Sequence, residues 1–415
     1  MHPIRRNGTR TNQPVDPEAI ERAAEERHRR RARLPAVLDY AFRPFFLAAG
    51  SWAVISLALW LAAYRGYLQL PTRFDPIAWH VHEMLFGFVM AAVAGFLLSA
   101  IPNWTRRLPV RGYGLGALAL LWLLGRIACL ISAYLPAWLA IVVDLAFPTA
   151  LLAVAAREII AGRNWRNIPM TAPLTLFIVA DLLMHFESLG FAVPAGLGWR
   201  LALAAPIVLI SIIGGRITPI FTRNWLVKRS SVRVPPPSGK LDGVAIGLLA
   251  AALVVWSLVP GHRVSGTLLI LAALLNAARL SRWMGFATWA EPLLFILHVG
   301  YAWLVLGALL LGLSIFDIGV PLASAIHALT AGAIAVMILA VMPRVSLGHT
   351  GRELATNRAT AAIFLLINVA AIARVCASWH TQFMTILLLV AGLCWIAAFG
   401  LFEIVYGKML LTRRL

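Results

Sequence analysis

The sequence predicts an all-α membrane protein, a polytopic bundle of about twelve transmembrane helices with both termini in the cytoplasm. Of its 415 residues, 61% are hydrophobic and 13% are charged, whereas soluble proteins are roughly half apolar and a quarter charged. Apolar runs of roughly 18 to 23 residues recur from Phe42 almost to the C-terminus, and each is long enough to cross about 30 Å of hydrocarbon.

Each apolar run gives one predicted helix, and the segments between them are short and polar. The first 40 residues are Arg-rich and nearly free of large apolar side chains, so residues 1–40 are predicted to be a basic cytoplasmic tail, disordered or a solvated helix, and 41–415 the membrane domain. A loop at 221–241 contains Pro235, Pro236 and Pro237 and is predicted to connect two six-helix halves, roughly 42–220 and 242–406. The predicted helices are 42–64, 79–101, 113–133, 134–156, 169–188, 197–220, 242–259, 264–281, 290–313, 320–343, 358–378 and 383–406.

Basic residues set the predicted orientation. Alternate connections carry most of the arginine and lysine, for example Arg106, Arg107 and Arg111 after the second helix. Because cytoplasmic loops are enriched in these residues, the basic loops and both basic termini are predicted to face the cytoplasm, which requires an even number of spans. The formal charge of +19 then reflects topology, and nucleic-acid binding is not expected.

Histidines carry most of the candidate chemistry inside the membrane. Ionisable groups in lipid are costly unless they face the protein interior and find partners. The predicted topology puts His80, His82, His185 and His327 in the outer half, His298 near the middle, and His349 in a cytoplasmic loop. A single buried histidine is most often a hydrogen-bonded core residue, but imidazole is also a common ligand of copper and haem iron. The group as a whole therefore favours metal binding.

Helical geometry separates His80 from His82. Residues two apart point about 200° apart on a helix, so the two imidazoles serve two sites, or one binds a metal and the other supports it. His80 shares a face with Glu83 and the small residues Gly87, Ala91 and Gly95, which admit another helix or a flat cofactor. His82 faces the side of Phe86.

Neighbouring polar residues suggest roles for the other histidines. Small residues around His327 leave room for a porphyrin, and Asp181, four residues before His185, is predicted to orient that imidazole. Glu291 lies two turns before His298 and Tyr301 one turn after it, as a candidate proton carrier and hydrogen-bond donor.

Charged residues elsewhere in the membrane have simpler interpretations. Arg126 and Asp144 fall at similar depth in one helical hairpin and are predicted to form a structural ion pair; a proton-path role for Asp144 is the alternative. Arg200 and Arg374 are candidates to pair with haem propionates or to act as membrane anchors. The three cysteines stand alone in apolar stretches, which is typical of small buried hydrophobes.

Several motifs together resemble those of the NnrS family. They are FRPFF (42–46), WHVHEMLFGF (79–88), AGFLLSAIPNWT (94–105), LLWLLGR (120–126), GRITPIFTRN (215–224), HVGYAWLVLG (298–307) and HALTAGAIAVMILAVMPRVSLGHTGR (327–352). The resemblance implies a multi-pass protein of the bacterial inner membrane that contains haem b and copper and is associated with denitrification, nitrosative stress and nitric oxide tolerance. It carries ligand roles onto His80, His82, His298, His327 and His349, without assigning each to a metal, whereas His185 rests on its depth alone.

The resulting hypothesis is protection against nitric oxide in the membrane by binding it or reducing it. Glu83, Glu291 and Tyr301 are the candidate catalytic proton or hydrogen-bond partners. Reduction also needs an electron donor, such as quinol or a periplasmic carrier, for which the sequence has no recognisable binding motif. Two alternatives stay open: a haem and copper sensor or binder without turnover, and a transporter or metallocofactor-delivery protein.

Overall fold

A computed structural model describes residues 35–413, and the predicted tail up to residue 34 lies outside the described residues. The described chain contains twelve helices long and apolar enough to cross a membrane, which confirms the predicted fold class. We number them α1 to α12: Phe42–Tyr64, Pro76–Thr105, Tyr113–Leu130, Ala137–Ala161, Trp165–Ser188, Leu197–Lys228, Lys240–Leu258, Arg263–Ser281, Pro292–Ser314, Leu322–His349, Arg358–Ala377 and Thr381–Leu411.

The helix ends differ from the predicted ones mainly where polar residues extend a helix beyond its apolar run. The α6 helix continues to Lys228, because Leu226 is buried while Arg223 and Lys228 point outward. The proline-containing connection therefore covers only 229–239, not 221–241. In the same way α10 continues to His349, which is helical instead of lying in a loop.

The two ends of the described chain meet at one end of the bundle. The Arg413 guanidinium donates to the Asp39 carboxylate, with Nε 2.6 Å from Oδ2, and Arg43 donates to the carbonyl of Met409 over 3.1 Å. Both described ends therefore lie on the same side, in keeping with an even number of spans. That this side is the cytoplasm remains a prediction.

Three helices form the interior of the bundle. Of the most apolar stretch of each helix, 78% is buried in α2, 67% in α6 and 72% in α10, whereas 33–56% is buried in the other nine. These three helices contact one another and recur at every fourth position along the chain. The other spans surround them, so side chains on α2, α6 and α10 are the ones most shielded from lipid.

Each interior helix also contains a π-helical segment: Glu83–Val89 in α2, Ile210–Gly214 in α6 and Ala328–Ile334 in α10. A π turn widens the helix, shifts the direction of the following side chains, and occurs often at functional sites. In α2 and α10 the π segment begins directly after a histidine, His82 and His327 respectively. We call the end of the bundle where α2 and α10 begin the His80 end, and the opposite end, where α8 ends, the Arg279 end.

Candidate metal sites

The candidate histidines separate into two neighbouring groups at the His80 end and two isolated residues. His82 and His185 share one buried cluster, and His80 and His327 lie near each other beside it. His298 and His349 lie toward the Arg279 end, at the seventh residue of α9 and the last of α10. The structure thus does not bring His298 or His349 to the other four.

Four helices supply the first group, which we call the His82 cluster. The α2 helix contributes two adjacent residues, and α4 contributes one. The α3 helix contributes two residues spaced three apart and α5 two spaced four apart, and each of these spacings puts both residues on one face of the helix. All are buried. Gly125 permits the approach of α3 to α4, because a Cβ there would lie 2.9 Å from Oδ1 of Asp144. The members of the His82 cluster are His82, Glu83, Arg126, Cys129, Asp144, Asp181 and His185.

Asp144 is the centre of the His82 cluster. Its Oδ2 lies 3.1 Å from Nε2 of His82, 3.0 Å from Nε2 of His185 and 2.9 Å from Sγ of Cys129. Its Oδ1 accepts from Nη2 of Arg126, so the predicted ion pair is present. The hydrogen-bond partners of Oδ2 are His185 and Cys129, which match its two lone pairs, while Nε2 of His82 hydrogen-bonds Oδ1 of Asp181 over 2.9 Å. The pair is therefore part of a larger site and does more than fasten the α3–α4 hairpin.

Glu83 closes the cluster on the side of α1. Its carboxylate accepts two 3.0 Å hydrogen bonds from Nη1 of Arg126 and one of 2.8 Å from the indole of Trp52. Its Oε1 also lies 3.1 Å from Nδ1 of His82. Both ring nitrogens of His82 therefore face carboxylate oxygens, although a neutral imidazole has only one N–H to donate.

The His82 cluster carries more negative than positive charge. Three carboxylates, those of Glu83, Asp144 and Asp181, face the single guanidinium of Arg126. With neutral imidazoles the excess is two negative charges, and the Oδ2 of Asp181 is buried without a partner among the described residues. Because an unpaired buried charge is costly, the cluster needs either added protons or a bound cation.

The donor atoms of the cluster suit a metal cation. One ligand atom each from His82, Cys129, Asp144 and His185 lie within 4.8 Å of one another. Two imidazoles and a thiolate are ligands typical of copper and zinc, and a carboxylate is an acceptable fourth. Glu83 at the far nitrogen of His82 is the kind of support that fixes the orientation of a ligating imidazole.

The second group is a pair of histidines from facing interior helices. His80 in α2 and His327 in α10 lie close enough to interact electrostatically, and Arg374 of α11 lies within electrostatic range of both. The Nδ1 of His327 donates to the Ala323 carbonyl over 2.7 Å, which leaves its Nε2 available. His80 stacks on Trp60 with ring centroids 4.2 Å apart, and its Nδ1 is buried without a partner in the described chain.

The face of small residues next to His80 is occupied by α1. A Cβ on Gly87 would lie 2.3 Å from the Trp52 indole nitrogen, and one on Gly95 would lie 2.8 Å from the Phe46 ring. Of the two predicted occupants, another helix or a flat cofactor, the structure therefore has the helix. A cofactor at His80 would have to lie on the His327 side.

Another buried polar group lies toward the Arg279 end. The Arg279 guanidinium donates to Asp242 over 2.7 Å, to the Ser211 carbonyl over 2.8 Å and to the Tyr301 hydroxyl over 2.7 Å. Tyr301 in turn donates to Oδ1 of Asn276 over 2.6 Å. We call these five residues the Arg279 network. The predicted catalytic candidate Tyr301 thus belongs to a hydrogen-bonded network remote from the His82 cluster.

The remaining candidates stand apart from both histidine groups. His298 contacts the Thr222 hydroxyl over 2.9 Å and the ring of Trp283. His349 lies against Tyr40 and Phe42. Glu291 precedes α9 and has a buried Oε1 without a partner in the described chain, and Arg200 donates to the Ser257 carbonyl.

Sequence reasoning missed two features of the sites. Cys129 is in the His82 cluster, although a lone cysteine in an apolar run suggested only a small hydrophobe. Asp181 lies nearer to His82, at 2.9 Å, than to His185, at 3.7 Å. The spacing of three between Arg126 and Cys129 was the available signal, since it puts the thiol on the face of the predicted ion pair.

Comparison with known proteins agrees with the sequence motifs. The family model described as NnrS protein matches residues 36–414, nearly the whole chain. No curated protein matches the sequence. The match includes every residue of both histidine groups and supports a multi-pass membrane protein related to nitric oxide. The chain belongs to the NnrS family.

Proposed function

We propose that this protein binds haem and copper in the membrane and protects against nitric oxide by binding it or reducing it. The observation that carries the proposal is the start of α2, where His80 and His82 point into two different sites. Each site contains a second histidine from another helix, His327 or His185. One short segment thus forms the wall between two candidate metal sites.

The His82 cluster fits copper. His82, Cys129, Asp144 and His185 would hold the ion, which would take the place of the protons between these four ligand atoms. A bound cation also offsets the excess of negative charge. Arg126 and Glu83 would orient these ligands by contacting the atoms that do not face the ion.

The His80 and His327 pair fits haem b. Both are interior-helix histidines with a ring nitrogen not used by the described chain, and Trp60 offers an aromatic face beside His80. Arg374 is near enough to pair with a propionate. Haem iron supplies tight binding of nitric oxide and, with copper, exchange of electrons.

The chain's own residues would provide the environment and the protons. Apolar interior helices keep water from the sites and admit a small neutral gas from the bilayer. Glu83 is the best-placed proton group, since it contacts His82 and Arg126 and lies on the same face of α2 as His80. Quinol or a periplasmic carrier is the proposed reductant if the gas is turned over.

Two other functions compete with reduction. A sensor or binder would hold the same cofactors without turnover, and a transporter or metallocofactor-delivery protein would not need permanently bound haem. The first differs in stoichiometry: a binder saturates at one nitric oxide per haem, whereas a reductase consumes many when a reductant is present.

The test is purification of the full chain after expression with haem and copper supplied, followed by visible spectra and metal analysis. We expect a haem Soret band and about one copper per chain, with haem lost in His80→Ala and His327→Ala but kept in His298→Ala. Protein that folds but contains neither haem nor copper would exclude the proposal. Nitric oxide consumption under dithionite then separates the binder from the reductase.

A further inference from the structure

An apolar cleft lies between the three interior helices. It has a volume of about 90 Å³ and is lined by α2, α6 and α10 together with Phe46 of α1. All three π segments contribute to its wall: Val89 from the first, Ile210, Ile213 and Gly214 from the second, and Ile334 from the third.

The wall contains only hydrophobic side chains, glycine and proline. Nothing in it offers a side-chain hydrogen bond to water, and cavities of this kind stay dry and bind small apolar molecules. An apolar cavity of about 150 Å³ binds benzene or xenon, and the smaller volume of this cleft suits a single atom or a diatomic molecule. Charged substrates and metal ions are excluded by the same reasoning.

The cleft is partly open and partly enclosed. Val93, Ile213 and Ile338 are only half-buried, whereas Val89, Leu209 and Ile334 are buried. A small molecule that dissolves in hydrocarbon can therefore enter from the half-buried side and lie between helices that are otherwise the best shielded in the protein.

The position of the cleft links it to the histidine pair. Ile334 follows His327 by seven residues along α10, and Val89 follows His80 by nine residues along α2. The helices α2 and α10, which line the cleft, are thus the same helices that carry His80 and His327.

We propose that this cleft is a binding site for a small, uncharged diatomic gas, held in the membrane interior below the His80 and His327 pair. Identifying that gas as nitric oxide rests on the proposed function, whereas the gas site itself does not. A lipid acyl chain is the competing occupant, because it too is apolar and comes from the bilayer.

Xenon is the probe for the site, used on the full-length protein without any need for bound cofactors. Crystals or frozen complexes pressurised with xenon should show it between Ile213, Ile338 and Val93. Replacement of Ile213 by tryptophan would fill the cleft and abolish the xenon, while Ile212→Trp, its half-buried neighbour outside the cleft wall, should leave it unchanged. Phe96→Ala should enlarge the site and increase xenon occupancy, so the test survives if Ile213→Trp fails to fold.

Density for an acyl or detergent chain in the cleft, with no xenon in the native protein or in Phe96→Ala, would overturn the gas site. If haem is present, flash photolysis provides the second arm: Ile213→Trp should slow the rebinding of nitric oxide from solution roughly fivefold or more relative to Ile212→Trp. Xenon binding with equal rebinding rates would reject the link to nitric oxide. Xenon bound in protein that holds no haem would refute the proposed function but not the site.

Discussion

The His82 cluster and the Arg279 network are built from the same kinds of residue but differ in whether their buried polar groups all have partners. Each places a guanidinium deep between helices, pairs it with an aspartate, and relies on a glycine for the close approach. Gly125 packs against Asp144, and Gly215 packs against Arg279, where a Cβ would lie 2.3 Å from Nη2. Neither the buried arginine nor the glycine beside it therefore distinguishes a candidate metal site from a structural one.

Charge and hydrogen-bond balance distinguish the two regions. In the Arg279 network one carboxylate meets one guanidinium, and the hydroxyl of Tyr301 and the amide of Asn276 all have partners. In the His82 cluster three carboxylates face one guanidinium, and Oδ2 of Asp181 has no partner in the described chain. A complete network stabilises the fold, whereas an incomplete one retains capacity for a cation.

The largest expected effect is loss of the metal when the incomplete cluster is altered. His82→Ala removes a central donor, and we expect copper affinity to fall by about 100-fold or more, since changes to supporting residues alone cost 10 to 100-fold. Metal analysis of purified protein after dialysis measures it. His298→Ala is the matched control, because His298 is also buried but lies outside the cluster. Equal copper in both variants would contradict the assignment.

The complete network should respond through stability instead. Arg279→Met leaves the Asp242 carboxylate without its guanidinium, and breaking a buried ion pair from one side costs about 3–5 kcal/mol. Asp242 lies near the start of α7, where some hydration is available, so we expect the lower end of this range. Unfolding of the detergent-solubilised protein measures the change.

Two controls sharpen that measurement. The double variant Arg279→Met with Asp242→Asn should recover much of the lost stability, because the unpaired charge is then removed. Copper content per folded molecule should stay at the native level in both variants. Loss of copper with unchanged stability would mean that the two regions have been assigned the wrong way round.

The sequence predicted the helices well because membrane spans are set by length and composition, which are local properties. It also predicted that Arg126 would meet Asp144 and that His80 and His82 would serve different surroundings, since both follow from helical spacing. It could not predict that Cys129 and Asp181 join His82, because those contacts depend on the packing of four helices. The three π segments were missed for a related reason: a widened turn has no strong residue signature.

His298 shows where a family motif alone misleads. The predicted helix started at 290, but α9 begins at Pro292 and is directed so that His298 falls near the Arg279 end. Membership of a family motif therefore did not bring His298 and Glu291 to the other histidines. The predicted residues that do lie together in the structure are those that have a complementary partner on a facing helix.

The smallest expected effect tests whether the Arg279 network is as complete as its contacts suggest. Tyr301→Phe removes one hydroxyl, but the Arg279 guanidinium keeps Asp242 and the Ser211 carbonyl, so no charge is left unpaired. Hydrogen bonds between membrane helices average about 0.6 kcal/mol, and we expect a loss of roughly 0.5–1.5 kcal/mol in the same unfolding assay, with copper and haem contents unchanged. Gly243→Ala, on the same end of the bundle and with no atom near its added methyl group, controls for nonspecific effects. A Tyr301→Phe protein of native stability and native cofactor content that fails to consume nitric oxide would instead assign Tyr301 a role in turnover.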